Sequence, residues 1–431
     1  MLTGNNYTVS RVPAQFRMPF FGLALIHMGM LTALDQFMLG AVLGHSMTIS
    51  NAFIAISAGS LLFFIITFGL GYAGMREGLS GSMLARWCGF GRIGSALVGL
   101  LIAVSLMGWF GVQNAVFAQS LSFSLGGILS AKQAAALSGI SLTLLVACGF
   151  RALRFAARIA VPLFIVNIIW ITLIVLNKDT PVLPSPVFHQ PLTLGAGITL
   201  VVGGAIVASL ITPDITRYSR SASSVLWMVL LTIFLGEYLV NGLAVFLAMR
   251  LNTANVVTIM AHASAGVGLL VVVFSSVRVN DLNLYSSALG VANFIDIISG
   301  KKSSYPVLTI IIGFFSTLLS VLGILDRFVD FLTLLGIFFP PVIGVMLTDY
   351  FIIRTHRAAL TASRQQGTLP AETPLIGLCA ITASIAGGLA GYVIPGGVPA
   401  LTSLLVASVA YRIFKYVADH LNVIRAPAWR E

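Results

Sequence analysis

The sequence predicts an all-α integral membrane protein with twelve spanning helices, and three observations lead there. Of 431 residues, 58% are hydrophobic and only 9% are charged, whereas a soluble domain carries about 25% charged residues. The apolar runs are long and do not alternate, as at 61–70 and 201–211. A spanning segment must satisfy its own backbone hydrogen bonds, and unalternating runs exclude barrel strands, so the spans are helices. Lys and Arg supply the third observation, because they sort by side when the spans are drawn as below.

Spans 1 to 5 are expected at 20–44, 52–74, 93–122, 133–150 and 157–177. Spans 6 to 10 follow at 192–212, 224–249, 265–298, 305–324 and 328–353, and spans 11 and 12 at 373–394 and 398–418. On this map nineteen of the 24 basic residues fall on one side, from Arg11 and Arg17 through Arg151, Lys302 and Arg425. Four fall on the other side (Lys132, Lys178, Arg250 and Arg327), and Arg278 lies inside a span. That asymmetry places both termini in the cytoplasm, in the cytoplasmic membrane. It also accounts for the net charge of +11, so nucleic acid is not expected as a partner; the bilayer is. The first apolar segment is too long for a signal-peptide core. No connection is long enough for a separate soluble domain, so 1–431 reads as one membrane domain.

Two spans are poor simple anchors. Span 1 carries Gly29, Asp35 and Gln36 near its middle, and span 6 carries the small-residue run Val201-Val-Gly-Gly-Ala-Ile-Val-Ala-Ser209 before Pro213. They open two five-helix halves, about 20–177 and 192–353, with extra helices at about 373–418. Interrupted helices in corresponding positions point to an inverted-repeat transporter with a midplane site. The competing reading is that small residues only allow close packing.

Several motifs carry no function. Gly89-Phe-Gly-Arg-Ile-Gly94 fits a dinucleotide pattern, but no strand precedes it. Gly387 and Gly391 are spaced for helix packing, and His27 reads as an interior hydrogen-bonder. Cys88, Cys148 and Cys379 show neither metal nor disulfide spacing. No cofactor, metal or enzyme chemistry is expected.

Ionisable groups inside spans need a partner or a wet cavity. They are Asp35, Glu237, Arg278 and Asp281, the last two being one helical turn apart. They read either as a structural ion-pair network or as an ion or substrate path; Asp35, Glu237 and Asp281 are the candidate proton or charge network. In span 3, Trp109 and Gln113 are four apart and share a face. A flat ring with an amide one turn away suits a planar, hydrogen-bonding ligand.

Gly108-Trp-Phe-Gly111 resembles the span 3 signature of the nucleobase–cation symporters of the bacterial cytosine permease group. Leu84-Ala-Arg86, Pro213-Asp-Ile-Thr-Arg-Tyr218, Asn280-Asp281, Leu284-Tyr285, Gly290-Val-Ala-Asn293, Pro340-Pro-Val-Ile-Gly344 and Asp349-Tyr350 are similar as well. The resemblance spans essentially the whole chain. It implies the LeuT-type fold, a 5+5 inverted repeat plus two helices, and alternating access for a nucleobase such as cytosine or a related heterocycle. It implies that Trp109 stacks on the base, that Gln113 matches the binding glutamine of the hydantoin-transporting branch, and that Asn280 lies beside the site. Gly204, Ala205, Ala33 and Asp35 are expected to line it. Where the group has aromatics in spans 6 and 1, this chain has Ala205 and Ala33, and a serine is replaced by Val207, which implies a wider, less polar pocket. The group's sodium site sets span 1 carbonyls, here Gly29 and Thr32, against a hydroxyl pair in span 8. Here that pair is Arg278-Val279. A guanidinium has only donors, so it is expected to replace the ion, leaving a proton or the substrate gradient as the driving force. The alternatives are an amino-acid or amine carrier of the same fold, a membrane-embedded enzyme, and a transport-dead sensor.

Overall fold

The computed structural model describes residues 10–147, 152–177, 191–261, 265–301, 303–421 and 428–430. Cys148, Arg151, Lys178, Lys302 and Arg425 lie outside the described residues. Helices α1 (Phe20–Leu31) and α2 (Leu34–Ser46) are followed by α3 (Ile49–Glu77), α4 (Gly81–Ala85), α5 (Gly91–Ser124), α6 (Ala131–Ala147) and α7 (Ala152–Asn177). Next come α8 (Leu194–Thr216), α9 (Ala222–Thr232), a wide π-helical stretch over Ile233–Asn241, and α10 (Gly242–Leu251). Helices α11 (Val256–Ala261), α12 (Ala265–Ser299), α13 (Tyr305–Val321) and α14 (Phe328–Leu347) follow. The chain ends with α15 (Arg357–Gln365), α16 (Leu378–Val393) and α17 (Pro399–Leu421), and a small antiparallel pair joins β1 (Glu372–Pro374) to β2 (Ala428–Arg430).

Among the described residues six helical stretches are long and apolar enough to cross a membrane, and α1 with α2, bent by 44° at its break, makes a seventh if the pair is one span. Four shorter apolar helices lie at Ala131–Ala147, Pro162–Asn177, Tyr305–Val321 and Leu378–Val393.

The break in the first span has a local cause. Thr32 leaves helical geometry and Ala33 is extended, with φ −149° and ψ 171°. The Thr32 amide and hydroxyl both turn back to the Met28 carbonyl. The Gly29 carbonyl would accept from residue 33 in a continuous helix, so here it is left for another donor.

The sixth span corrects an expectation. The run of small residues around Gly203 does not interrupt it: α8 is continuous over Leu194–Thr216, even with Pro213 inside. The small residues serve packing instead. On α3, Gly59 leaves space for Val201, and Thr67 and Ser209 share a hydrogen bond of 2.6 Å. The backbone of α14 presses on Gly203 from another side. The packing reading of this run therefore holds.

A second set of polar contacts ties α5, α6 and α13. The Asn114 amide donates to the Ala135 carbonyl at 2.9 Å and to Ser320 Oγ at 3.1 Å, and accepts from Ser138 Oγ at 2.7 Å. Such interhelical bonds contribute on the order of 0.6 kcal/mol each in a membrane protein. His27 is likewise a satisfied interior group, with its ring nitrogens on Thr232 Oγ1 at 2.7 Å and Thr212 Oγ1 at 2.9 Å. It fastens α1 to α8 and α9.

Candidate functional site

The site is built where α5 packs along α12. Ser287 donates to the Ala103 carbonyl at 2.8 Å, and Gly290 lies against the Gly99 carbonyl. This pairing is antiparallel. Continued along both helices, it brings Asn280 to the level of Trp109 and Phe110, and Gln113 one turn beyond. Phe110 and Leu284 share one hydrophobic cluster, in keeping with that register.

Gln113 and Asn280 are fully buried, yet the nitrogen and oxygen of both side-chain amides lack a hydrogen-bond partner among the described residues. A buried orphan amide costs about 1–3 kcal/mol, so two within about one helical turn of each other demand an explanation. Each offers donors and an acceptor in one plane.

Trp109 is 6% exposed and held edge-on by two rings of α14. Phe331 lies at a centroid distance of 5.3 Å and 78°, and Phe328 at 6.3 Å and 71°. Gly108 makes this possible: a Cβ there would stand 2.5 Å from the Phe331 ring. Gly111 meets α13, so the two glycines of Gly108-Trp-Phe-Gly111 are contact points on either side of the tryptophan. Phe328 also lines a cavity of about 250 Å³ with Met38, Val42, Val116, Gln119 and Asn255. Trp109 does not line that cavity; Phe328 stands between them. The α14 aromatics were not foreseen from the sequence, and Gly108 was the only local signal for them.

Arg278 reaches from α12 to the break in the first span, where its Nη2 donates to the Gly29 carbonyl at 3.0 Å. A Cβ on Gly29 would stand 2.6 Å from that nitrogen. The guanidinium thus takes the carbonyl that the break set free. The Thr32 carbonyl, the second one expected to meet it, receives no bond from Arg278 among the described residues, while the Thr32 amide and hydroxyl donate to Met28. Asp35 is buried and acts electrostatically on Arg278; among the described residues its Oδ1 has no partner and the two make no direct ion pair. Asp281, one turn from Arg278, acts instead on Tyr305.

The remaining expected residues separate. Ala33 is buried at the break. The Gly204 carbonyl accepts from Gln36 Nε2 at 3.2 Å. Ala205 packs in a cluster with Leu31, Phe63 and Met228, distinct from the cluster that contains Trp109. Glu237 is fully buried in the π-helical stretch; its Oε2 accepts from Asn241 Nδ2 at 2.7 Å, and its Oε1 has no partner.

A broken first span, a buried cluster of one tryptophan and two amides, and a long apolar helical body fit a multi-pass secondary transporter. Residues 19–413 match the family described as permease for cytosine/purines, uracil, thiamine, allantoin. The cytosine permease of Escherichia coli (strain K12) is 30% identical over 423 residues, 97% of this chain and 96% of that one. Mhp1 in an inward-facing conformation superposes with a TM-score of 0.78 at 18% identity, covering 97% of this chain and 94% of that chain. Mhp1, a nucleobase-cation-symport-1 family transporter, in a closed conformation with bromovinylhydantoin bound gives 0.71 at 19% identity, covering 96% of each chain. The protein belongs to this permease family and has the LeuT-type fold.

Proposed function

We propose that the protein imports a nucleobase or a related planar heterocycle across the cytoplasmic membrane by alternating access, with both termini cytoplasmic. In this reading 20–177 and 192–353 are the two repeats. Trp109 stacks on the ligand ring, and Gln113 and Asn280 bond its edges. Ala33 and Ala205, small where the cytosine permease group has aromatics, leave room toward spans 1 and 6, although Ala205 packs in a cluster apart from Trp109. Arg278 stands in for a coupling cation at Gly29, so transport does not draw on sodium. The observation that carries this reading is the pair of orphan amides beside a buried tryptophan: a ligand with donors and acceptors in one plane satisfies both at once. An amine carrier using Asp35 is disfavoured, because Asp35 already lies in the field of Arg278.

The test is proteoliposome uptake of radiolabelled cytosine and of a radiolabelled hydantoin. At least one should be taken up saturably, and Trp109→Ala should weaken its affinity about 10- to 100-fold, the cost of about 1–3 kcal/mol of stacking. Unchanged affinity in that variant overturns the site. Binding without flux makes the protein a sensor.

A further inference from the structure

Glu237 is a buried carboxyl that the substrate pocket does not use. It sits in the π-helical stretch Ile233–Asn241, an uncommon wide turn that recurs at functional sites. Its neighbour Gly236 presses on the end of α1. A Cβ at Gly236 would stand 2.5 Å from Leu31 Cβ and 2.9 Å from the Leu31 carbonyl. Glu237 is thus held beside the break in the first span, on the helix that backs it.

Its surroundings are polar but carry no compensating charge. Asn241 Nδ2 donates to Glu237 Oε2 at 2.7 Å and to Gln36 Oε1 at 3.3 Å. Gln36 Nε2 in turn donates to the Gly204 carbonyl of α8 at 3.2 Å. The stretch packs against α1, α2, α3, α9 and α10. On α1 the titratable group is His27, whose ring is occupied by two threonine hydroxyls. On α2 it is Asp35, which acts on Glu237 electrostatically and carries the same sign when ionised; His45 lies at the far end of that helix. On α3 the charged groups are Arg76 and Glu77 in its last turn, and on α10 Arg250 in its last turn; α9 has none. Arg278, the cation near Asp35, is bonded to Gly29. Among the described residues no cation pairs with Glu237. An ionised carboxylate there would cost several kcal/mol, whereas the neutral acid fits the single amide bond it receives.

We propose that Glu237 is the site that binds and releases the coupling proton of this transporter. The carboxylate takes up one proton from water while the site is open to the outside, and holds it as the neutral acid while the site is closed. It gives that proton up when the first span opens it to the other side. Ionisation strengthens the pull on Asn241 Nδ2, and the chain through Gln36 carries that change to the Gly204 carbonyl beside the pocket. This inference rests on the reading that the chain transports without sodium, so its test includes a measurement that needs no substrate.

That measurement is infrared difference spectroscopy of the purified protein through a pH titration, in light and heavy water. A protonated-carboxyl band should appear at low pH, shift with deuterium, vanish in Glu237→Gln and survive in Asp35→Asn. Glu237→Asp should restore a shifted band if the glutamine variant folds poorly. A band that persists in Glu237→Gln, or no titrating band at all, overturns the proposal. The second measurement is radiolabelled cytosine in proteoliposomes with the membrane potential clamped. An inward gradient of one pH unit can drive at most about tenfold accumulation for one proton per substrate. Glu237→Gln should lose that accumulation and keep cytosine exchange at zero gradient; accumulation retained by the variant overturns the proposal. If the wild type takes up no cytosine, the same assay is run with the radiolabelled hydantoin; if it takes up neither, the substrate reading fails and the spectra alone decide on Glu237.

Discussion

Two buried polar centres sit at different depths of this molecule and are built on opposite plans. At the end of α3, Glu77 is enclosed by partners: Arg11 Nη1 at 3.2 Å, Arg364 Nη1 at 2.9 Å and the Tyr350 hydroxyl at 2.8 Å. Arg11 also donates to Ser363 Oγ at 2.9 Å and to the Thr368 carbonyl at 2.7 Å. Burial pulls the Arg11 guanidinium below its ordinary pKa, and the Glu77 charge opposes that shift. Both Glu77 oxygens are used, and the chain segments that meet there are far apart in sequence. At the α5–α12 pocket, by contrast, Gln113 and Asn280 present both ends of their amides to no protein group among the described residues. The first centre spends its polarity on holding the protein together. The second leaves its polarity unmatched by protein among the described residues.

The largest expected effect tests the first centre. Glu77→Ala leaves Arg11 buried without its counter-ion, which costs on the order of 3–5 kcal/mol. Thermal melting in detergent should fall sharply, while any ligand bound by the surviving folded protein keeps its affinity. A melting curve like that of the wild type would mean that the cluster braces nothing.

A smaller effect with a different signature tests the second centre. Gln113→Leu removes an orphan amide and leaves apolar bulk, so the free protein should melt at the same temperature or higher. Affinity for the transported heterocycle should fall about 10-fold, from the loss of about 1–2 kcal/mol of hydrogen bonding. Melting and binding thus move apart at Gln113, whereas at Glu77 only melting moves. A loss of melting temperature with unchanged affinity would place Gln113 with the structural group and dissolve the contrast.

The smallest effect concerns Arg278. Replacing sodium by choline, at fixed pH and membrane potential, should alter the initial uptake rate by less than about twofold if the Arg278 guanidinium, rather than an ion, serves the Gly29 carbonyl. A steep loss on sodium removal would show that the ion binds after all and that the guanidinium does not stand in its place.

Much of the architecture could be read along the chain, because burial in lipid leaves long apolar runs that need no partner to be seen. The break in the first span was legible as well: Gly29, Asp35 and Gln36 in one apolar segment resist any simple anchor. The same kind of reasoning failed on α8. A small-residue run is compatible with an interrupted helix or with a tight seam, and only the neighbours that press on Gly59 and Gly203 decide between them. Contacts across long stretches were silent. Phe331 and Trp109 are separated by most of the chain, and Arg11 entered only as one of many basic residues on one side. Trp109 and Gln113 were visible because one turn of helix joins them; that the amide goes unmatched by protein among the described residues was not.

The bond from Arg278 to Gly29 has an ecological corollary. An ion taken from solution obeys mass action, so its site empties as the medium becomes dilute. A guanidinium on a covalent stem has no such dependence: it occupies the carbonyl equally in fresh water and in brine. If transport follows the proposed reading, a permease built this way gives up the energy stored in a salt gradient and gains indifference to salinity.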